Sequence, residues 1–398
     1  MKRRDFIRNT ALASGALMIP SFLKPLELMA AGNLGFKRLV IIQLSGGNDG
    51  LNTIVPFGDD SYYKKRPSLS VGASEIIKLT DMQGFNPDMA SLKEIYDQGW
   101  MSIVNGVGYP NPDRSHFRSM DIWQTASSSN EYLSNGWIGR YLDSNCSDCS
   151  SPHTAIEVDD SLSLALKGVA HKGLAVKNSQ QLYRTTREPF FRLEADNAKQ
   201  NMLSEDNLGY LYKTMIETCS SAKYINDTAK IYKNTAFYPI SAFANELKTI
   251  GTFINSGLST KIYYVSLSGF DTHIAQKGQQ NRLLKIYSEA VSAFIKDLKQ
   301  ANNLDDTLVM TFSEFGRRVA QNASGGTDHG TANNLFLFGG KLKKAGIYNN
   351  TPDLEDLDNG DLKYQVDFRE VYATVLDKWL GVKSEPLLNG QFNTLGII

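Results

Sequence analysis

Continuous apolar runs alternate with segments of helical spacing over most of this chain. Strands that are buried on both faces of a parallel sheet read as unbroken apolar runs, whereas helices repeat apolar residues three and four positions apart. The predicted strands lie at 36–44, 100–105, 261–267, 306–312 and 334–339, and the predicted helices at 116–125 and 274–301. We therefore predict an α/β fold with a doubly wound, mainly parallel sheet flanked by helices.

The last predicted helix has the clearest start and stop signals. Asp367 is suited to cap its start, Glu370 follows three positions later, and Gly381 is suited to end it. The middle of the chain, 184–257, has helical spacing but no recognisable motif. We interpret it as a helical insertion within a single domain that covers 36–398.

The first thirty-one residues have the pattern of a twin-arginine signal peptide. Arg3 and Arg4 are followed by Phe6-Ile7 and then by the apolar run 11–19. This predicts export to the periplasm or beyond, with cleavage near Ala30 or retention as an anchor both left open. The alternative is a basic amphipathic first helix of a cytoplasmic protein. The remaining chain has no run of 18 or more apolar residues, so we expect no transmembrane span in the mature protein.

Charge and cysteine content narrow the possible partners. Lys plus Arg and Asp plus Glu number 42 each, so there is no basic field to attract nucleic acid. Cys146 and Cys149 form a C-x-x-C pair that favours a local disulfide in an exported protein, with a metal site as the alternative. Cys219 is interpreted as a buried helical thiol.

Carboxylates and imidazoles follow several of the predicted strands. Asp271 and His273 come after 261–267, Glu314 follows 306–312, and His329 lies a few residues further on. Ligands of open α/β sheets bind beyond the carboxyl ends of the strands, so these side chains are expected to converge. Because side chains of an extended segment alternate, Asp271 and His273 should face one metal ion together, while Asp328 orients a ring from outside.

Two other carboxylates have a structural alternative. Asp49 lies in the loop Ser45-Gly-Gly-Asn-Asp-Gly50 after the first strand, where it is either a metal ligand or the centre of an Asx-turn. Glu314 is either a ligand or a partner of Arg317 or Arg318. Those arginines are alternatively a clamp for an anionic oxygen.

The start of the helix at 116–125 is the candidate position for a nucleophile. Unpaired N–H groups and the helix dipole favour an anion there. Ser115 is the candidate nucleophile, with His116 or a metal to assist its deprotonation, and Arg114, Arg118 and Arg317 are candidates to stabilise charge. The alternative is that Ser115 or Asp113 is only a helix cap.

These stretches resemble the exported family catalogued as domain of unknown function 1501. The resemblance rests on five segments: Gln43–Asn52, Pro112–Phe117, Gly269–His273, Ser313–Arg317 and Thr327–Ala332. That family in turn resembles the alkaline phosphatase and sulfatase superfamily. The resemblance implies an alkaline phosphatase-like fold, with metal ligands among Asp49, Asp271, His273, Glu314 and His329.

The match to the superfamily is incomplete at one position. Phe315 stands where the superfamily has a histidine, so we expect one well-formed metal site rather than two. Mixed nitrogen and oxygen ligands favour zinc or manganese, with calcium or magnesium as the alternative. The resemblance implies a metal-dependent hydrolase that acts on small phosphate or sulfate esters or on a sulfated or phosphorylated glycan. The alternative is a non-catalytic periplasmic or surface binding protein that keeps one structural ion.

Overall fold

The fold is built on a mixed sheet whose strands come from both halves of the chain. The computed structural model describes residues 36–145, 151–189, 191, 193 and 207–398. The predicted signal peptide and the Cys146–Cys149 pair lie outside the described residues. Within them, the strands are β1 (Arg38–Ser45), β2 (Ile54–Val55), β3 (Ile77–Lys78), β4 (Gly84–Phe85), β5 (Met101–Gly108), β6 (Ala155–Glu157), β7 (Leu174–Ala175), β8 (Ile262–Ser268), β9 (Thr307–Phe312), β10 (Asn333–Phe338), β11 (Gly346–Ile347), β12 (Leu357–Asp358), β13 (Asp361–Leu362) and β14 (Val366–Asp367).

Helices cover both faces of this sheet. In the described part of the chain they are α1 (Asp60–Lys65), α2 (Lys93–Asp97), α3 (His116–Thr125), α4 (Trp137–Asn145), α5 (Ser179–Thr185), α6 (Asn207–Ala229), α7 (Ala242–Asn255), α8 (Gln276–Gln300), α9 (Phe368–Thr374) and α10 (Glu385–Leu388). A single π-helical segment, Val375–Leu380, continues α9 and ends at Gly381, whose φ is 70°. No described helix has the length and apolar character needed to cross a membrane.

The main sheet has the strand order β11-β5-β10-β9-β1-β8-β6-β7, and β14 also pairs with β5. Strand β10 is antiparallel to both of its neighbours, and the other pairs in this sheet are parallel. The predicted doubly wound, mainly parallel α/β fold is therefore confirmed, with one reversed strand that periodicity did not reveal.

Alternation along β1 explains the two layers of core. Val40, Ile42 and Leu44 face the core that α7 and α8 complete, whereas Leu39 and Ile41 face the core that contains α4 and α9. Side chains of a strand point alternately to opposite faces, so an apolar run buries both. The region 184–257 contains α6 and α7 in its described part, and Cys219 lies half-buried in α6.

Strand direction decides where the candidate site lies. Since β5 and β9 run parallel to β1, β8 and β6 across the sheet, their carboxyl ends share one edge. The reversed strand β10 begins at this same edge. His329 precedes β10, whereas His116, Asp271 and Glu314 follow the ends of parallel strands, so all four reach this edge.

Candidate metal centre

Three histidines and one aspartate meet at the carboxyl edge of the sheet. The Oδ1 atom of Asp271 lies 3.0 Å from His273 Nε2, 3.2 Å from His329 Nε2 and 3.4 Å from His116 Nε2. The Nε2 atoms of His273 and His329 are 2.9 Å apart. Among the described residues, His116, Asp271 and His329 form the one group in which three ligand atoms all lie within 4.8 Å of one another. His273 is not part of that group, although its Nε2 atom is close to Asp271 Oδ1 and to His329 Nε2.

The opposite nitrogen of each ring faces an oxygen acceptor. His116 Nδ1 lies 2.8 Å from Glu314 Oε1, and His329 Nδ1 lies 2.7 Å from the carbonyl oxygen of Arg114. His273 Nδ1 faces Asp328 Oδ1 at 3.5 Å. An oxygen acceptor calls for a proton on Nδ1, so each neutral ring turns a bare lone pair at Nε2 toward the shared centre. This is how metal-ligating histidines are usually oriented.

The inward-facing atoms fit a cation better than they fit one another. Two Nε2 lone pairs at 2.9 Å repel unless a proton or a metal ion lies between them, and the Nε2 atom of His116 is buried with no hydrogen-bond partner. A tetrahedral zinc site with bonds of about 2.0–2.1 Å has ligand atoms about 3.3–3.4 Å apart. The observed separations of 2.9–3.4 Å come close to that spacing.

Charge at the site is set by Arg317 and Glu314. Burial alone would raise the pKa of Asp271, but the hydrogen bond from Arg317 at 2.9 Å and the positive charge of that guanidinium outweigh it, so the pKa lies below its usual range. The hydrogen bond with Glu314 raises the pKa of His116, while burial lowers the pKa of His329. Asp271 is therefore an anion at neutral pH, as a metal ligand must be.

Glycines bring the loop after β1 close to this centre. A Cβ atom on Gly46, whose φ is 116°, would lie 2.4 Å from the backbone nitrogen of Asp271. A Cβ atom on Gly47 would lie 2.3 Å from the ring of Phe315. That ring in turn packs against His116 and His329, with centroids 4.8 and 4.7 Å away. Phe315 thus forms a wall that holds two of the imidazoles in place.

Asp49, which was predicted to bridge to this ion or to hold a weaker one, is engaged by other protein groups through one of its oxygens. Asp49 is buried, and its Oδ2 atom pairs with Arg66 Nη1 at 2.6 Å and with Gln276 Nε2 at 2.5 Å. Its Oδ1 atom is buried with no hydrogen-bond partner, so a role of Asp49 as a ligand stays a prediction. Neither Arg66 nor Gln276 was predicted to contact Asp49. Gln276 forms a polar i,i+4 pair with Gln280 on the buried face of α8, and that pair of glutamines was the signal available in the sequence.

Glu314 contacts a ligand rather than the centre itself. Its Oε1 atom accepts hydrogen bonds from His116 and from the Gly46 N–H, each at 2.8 Å, and the residue is fully buried. These contacts favour a role for Glu314 in orienting His116, and its assignment as a direct ligand stays a prediction. Its predicted alternative, pairing with Arg317 or Arg318, is absent from the contacts of the described residues.

All three candidate arginines already have partners in the protein. Arg118 donates to the carbonyl oxygens of Ser128, Ser129 and Glu131 and so holds the loop after α3. Arg317 is buried and donates to the carbonyl oxygens of Gly46, Gly47, Phe270 and Thr327 as well as to Asp271. Arg114 pairs with Asp361, which also lies 3.5 Å from Arg318. The role of Arg118 in stabilising substrate charge stays a prediction, and its Nη2 atom is engaged with the loop.

Ser115 occupies the N-cap position of α3 but does not cap it with its side chain. Its backbone N–H donates to Asp113 Oδ1 at 2.7 Å, and the residue is exposed. The alternative of a purely structural cap is therefore not what the structure shows. Ser115 directly precedes His116 in the sequence, and its side chain is exposed.

Comparisons with known proteins give a family and a set of distant structures. A family model described as "Protein of unknown function (DUF1501)" matches residues 107–392. No curated protein matches the chain.

Three solved structures illustrate what the chain is similar to. The lipoteichoic acid synthase LtaP from Listeria monocytogenes has a TM-score of 0.42 and 11% identity, covering 88% of this chain and 74% of that one. The PsFucS1 sulfatase from Pseudoalteromonas sp. has a TM-score of 0.40 and 11% identity, covering 94% of this chain and 73% of that one. A protein in the alkaline phosphatase superfamily from Vibrio parahaemolyticus has a TM-score of 0.31 and 11% identity, covering 76% of this chain and 60% of that one. At such scores and identities, what these proteins do is no evidence for what this chain does.

Proposed function

We propose that this chain, which belongs to the DUF1501 family of proteins of unknown function, is an exported hydrolase of phosphate or sulfate esters that uses one divalent metal ion. The observation that carries the proposal is the orientation of the three histidines. The Nδ1 atoms of His116 and His329 are hydrogen-bonded and that of His273 faces Asp328, so the Nε2 atoms of all three rings approach Asp271 Oδ1. Zinc and manganese suit this mixture of nitrogen and oxygen ligands.

The centre is open to solvent on the side of Asp271, as a catalytic site requires. The side chain of Asp271 is 49% exposed and that of His273 is 40% exposed. When bound, a divalent cation supplies Lewis-acid polarisation of an ester oxygen. The unpaired N–H groups of the first turn of α3 favour an anionic ester at the same place.

Ser115 supplies the nucleophilic hydroxyl in this proposal. In the described part of the chain that hydroxyl has no hydrogen-bond partner, and the adjacent His116 belongs to the metal centre. The Ser115 oxygen can bond to the phosphorus or sulfur atom as the bond to the alcohol oxygen breaks, and the serine proton passes to the leaving alcohol through solvent. Water then hydrolyses the serine ester, and the attack requires that the substrate ester lies in line with the hydroxyl. Arg114, half-exposed and paired with Asp361, is the arginine nearest in sequence to the nucleophile.

A non-catalytic binding protein with a structural ion is the second candidate. The observation in its favour is that Asp271 Oδ1 lies within 3.4 Å of three imidazole nitrogens, so protein atoms supply the ligands of an ion, which is typical of structural zinc sites. Arg118 and Arg317 are also engaged with the protein itself rather than free to clamp an anion. The two candidates differ in turnover but not in metal content.

Turnover of 4-nitrophenyl phosphate and 4-nitrophenyl sulfate by the metal-loaded wild type tests the proposal. Ser115→Ala should abolish hydrolysis and leave metal content intact, whereas His273→Ala should lose both. Ser128→Ala, an exposed serine in the loop after α3, is the matched control and should keep wild-type turnover. A wild type that retains its metal but hydrolyses neither ester would favour the binding protein.

Export is a separate part of the proposal and has its own test. Replacing Arg3 and Arg4 by lysine should leave the protein in the cytoplasm, because the twin-arginine pair is the predicted recognition element. Replacing Lys2 by arginine keeps the pair and should leave export unchanged. Export of the double lysine variant at the wild-type level would refute the signal assignment.

A further inference from the structure

A polar groove extends away from the metal centre along one face of the sheet. Its floor is formed by alternate residues near the carboxyl ends of three neighbouring strands: Gln43 and Ser45 on β1, Tyr264, Ser266 and Ser268 on β8, and Glu157 on β6. Their spacing by two puts the residues of each strand on one face. The groove encloses about 440 Å³, within the range of about 300–1,000 Å³ that is common for small-molecule sites.

The same face is apolar at the other end of these strands. Leu39 and Ile41 of β1 and Ile262 of β8 belong to the hydrophobic core on this face. The character of the face therefore changes from apolar to polar as the strands approach their carboxyl ends. Packing alone would favour apolar residues along the whole face, so the polar half calls for a polar occupant.

Helix α3 connects this groove to the metal centre. His116, Met120 and Gln124 lie four positions apart and so form one line along the helix. The first belongs to the metal centre, and the other two line the groove. Since a helix rises about 1.5 Å per residue, Met120 lies about 6 Å along the helix axis from His116, and Gln124 lies about another 6 Å further.

The groove offers hydroxyl, amide and carboxyl groups without a cation. In the described part of the chain, the hydroxyls of Ser45, Ser266 and Ser268 make no hydrogen bond to the protein, and Ser163 Oγ is buried without a partner. The charged residues among the lining residues are acidic: Glu157, Asp159 and Glu246. Burial raises the pKa of Glu157 to about 7 and also raises that of Glu246, in both cases helped by the charge of Asp159. A second anionic group would be repelled here.

We propose that this groove binds the alcohol part of the ester, and that this part is a neutral polyhydroxylated group such as a sugar ring. The inference rests on the proposed function, since it assigns the substrate class of the same site. Sugar hydroxyls both donate and accept, which matches the free serine hydroxyls, the Gln124 amide and the Glu157 carboxyl. The ester group itself then lies at the metal centre, one helical turn along α3.

Binding of neutral sugars tests the groove without requiring turnover. The probes are methyl glycosides of glucose, galactose, mannose and fucose, observed by saturation-transfer NMR with the full chain. At least one should bind to the wild type and to His273→Ala alike, because the groove does not need the metal. Ser266→Leu fills the floor of the groove and should weaken binding about tenfold or more. Ser220→Leu, on the exposed surface of α6, is the matched control.

Charge and selectivity provide two further readouts. Methyl glucuronide should bind about tenfold or more weakly than methyl glucoside, because its carboxylate meets acidic lining residues. If the enzyme hydrolyses both glucose 6-phosphate and 4-nitrophenyl phosphate, Ser266→Leu should lower the ratio of kcat/KM for the first substrate to kcat/KM for the second about tenfold.

The failures are distinguishable. Sugar binding that is sensitive to Ser266→Leu, with no hydrolysis by any variant, would keep the groove and refute the hydrolase. Hydrolysis with no glycoside bound at about 10 mM, or with binding unchanged in Ser266→Leu, would refute the groove.

Discussion

Glu157 allows the polarity of the groove to be tested through stability. Its side chain is buried, with 3% of the residue exposed, and its Oε2 atom accepts a hydrogen bond of 2.6 Å from the Ser163 N–H. Burial raises its pKa from 4.5 to about 7. A glutamine at this position keeps an acceptor for Ser163 but does not ionise, so Glu157→Gln isolates the cost of the buried charge.

The sign and size of the effect follow from that pKa. The folded protein holds the Glu157 proton more tightly than the unfolded chain, so the stabilisation is complete below pH 4.5 and is lost as the pH rises through about 7. The gap between the two pKa values, at about 1.4 kcal/mol per pH unit, corresponds to about 3 kcal/mol. The free energy of unfolding of Glu157→Gln minus that of the wild type should therefore increase by about 3 kcal/mol between pH 4.5 and pH 8.

Urea unfolding at several pH values between 4.5 and 8, followed by circular dichroism, measures this difference. Other groups that titrate in the same range contribute to both proteins and cancel in the difference. Native spectra of both proteins at each pH show that the same transition is being compared. A difference that stays constant with pH would refute the burial of an ionisable Glu157 and weaken the argument that the groove disfavours anions.

Three further substitutions test the framework around the metal centre. Arg66→Met should destabilise the protein by about 3–5 kcal/mol, because it leaves Asp49 buried without its partner; the double variant with Asp49→Leu should recover most of this in urea unfolding, and an equal loss in both would contradict it. Arg118→Met should lower the free energy of unfolding by about 1–3 kcal/mol, because it removes the hydrogen bonds to the loop 128–131, and it should leave metal content unchanged. Loss of metal from this variant would show that Arg118 supports the metal centre. Gly46→Ala should cost more than about 1 kcal/mol and weaken metal retention, because its Cβ meets Asp271 N; tolerance in a thermal melt would contradict the close approach.

The elements that the sequence predicted correctly carry local signals. Helix α3 begins and ends where predicted, at 116 and 125. At the start of α9, Asp367 accepts from the Arg369 N–H, and Gly381 adopts the left-handed conformation expected of a helix end. Strand β10 was located correctly as well, but its reversed direction depends on which strands it pairs with, and periodicity does not contain that information.

The residues of the site could be predicted only where they follow or precede the ends of strands. His273 and His329 meet at 2.9 Å although 56 positions separate them, because both follow from the placement of polar residues at strand ends. Asp49 also follows the end of a strand, but it pairs with Arg66, which lies 17 positions away and belongs to no recognisable motif. Arg118 likewise turns to carbonyl groups of a loop, and backbone acceptors leave no trace in a sequence.

Metal content tests the central claim most directly. The wild-type protein, purified without chelator and dialysed against metal-free buffer, should contain about one zinc or manganese ion per chain by elemental analysis. Replacing both His273 and His329 by alanine should remove that ion, whereas Asp49→Asn should retain it, because Asp49 pairs with Arg66 rather than with the centre. A wild type that holds no metal, or a double alanine variant that holds as much as the wild type, would contradict the assignment of these residues as a metal centre.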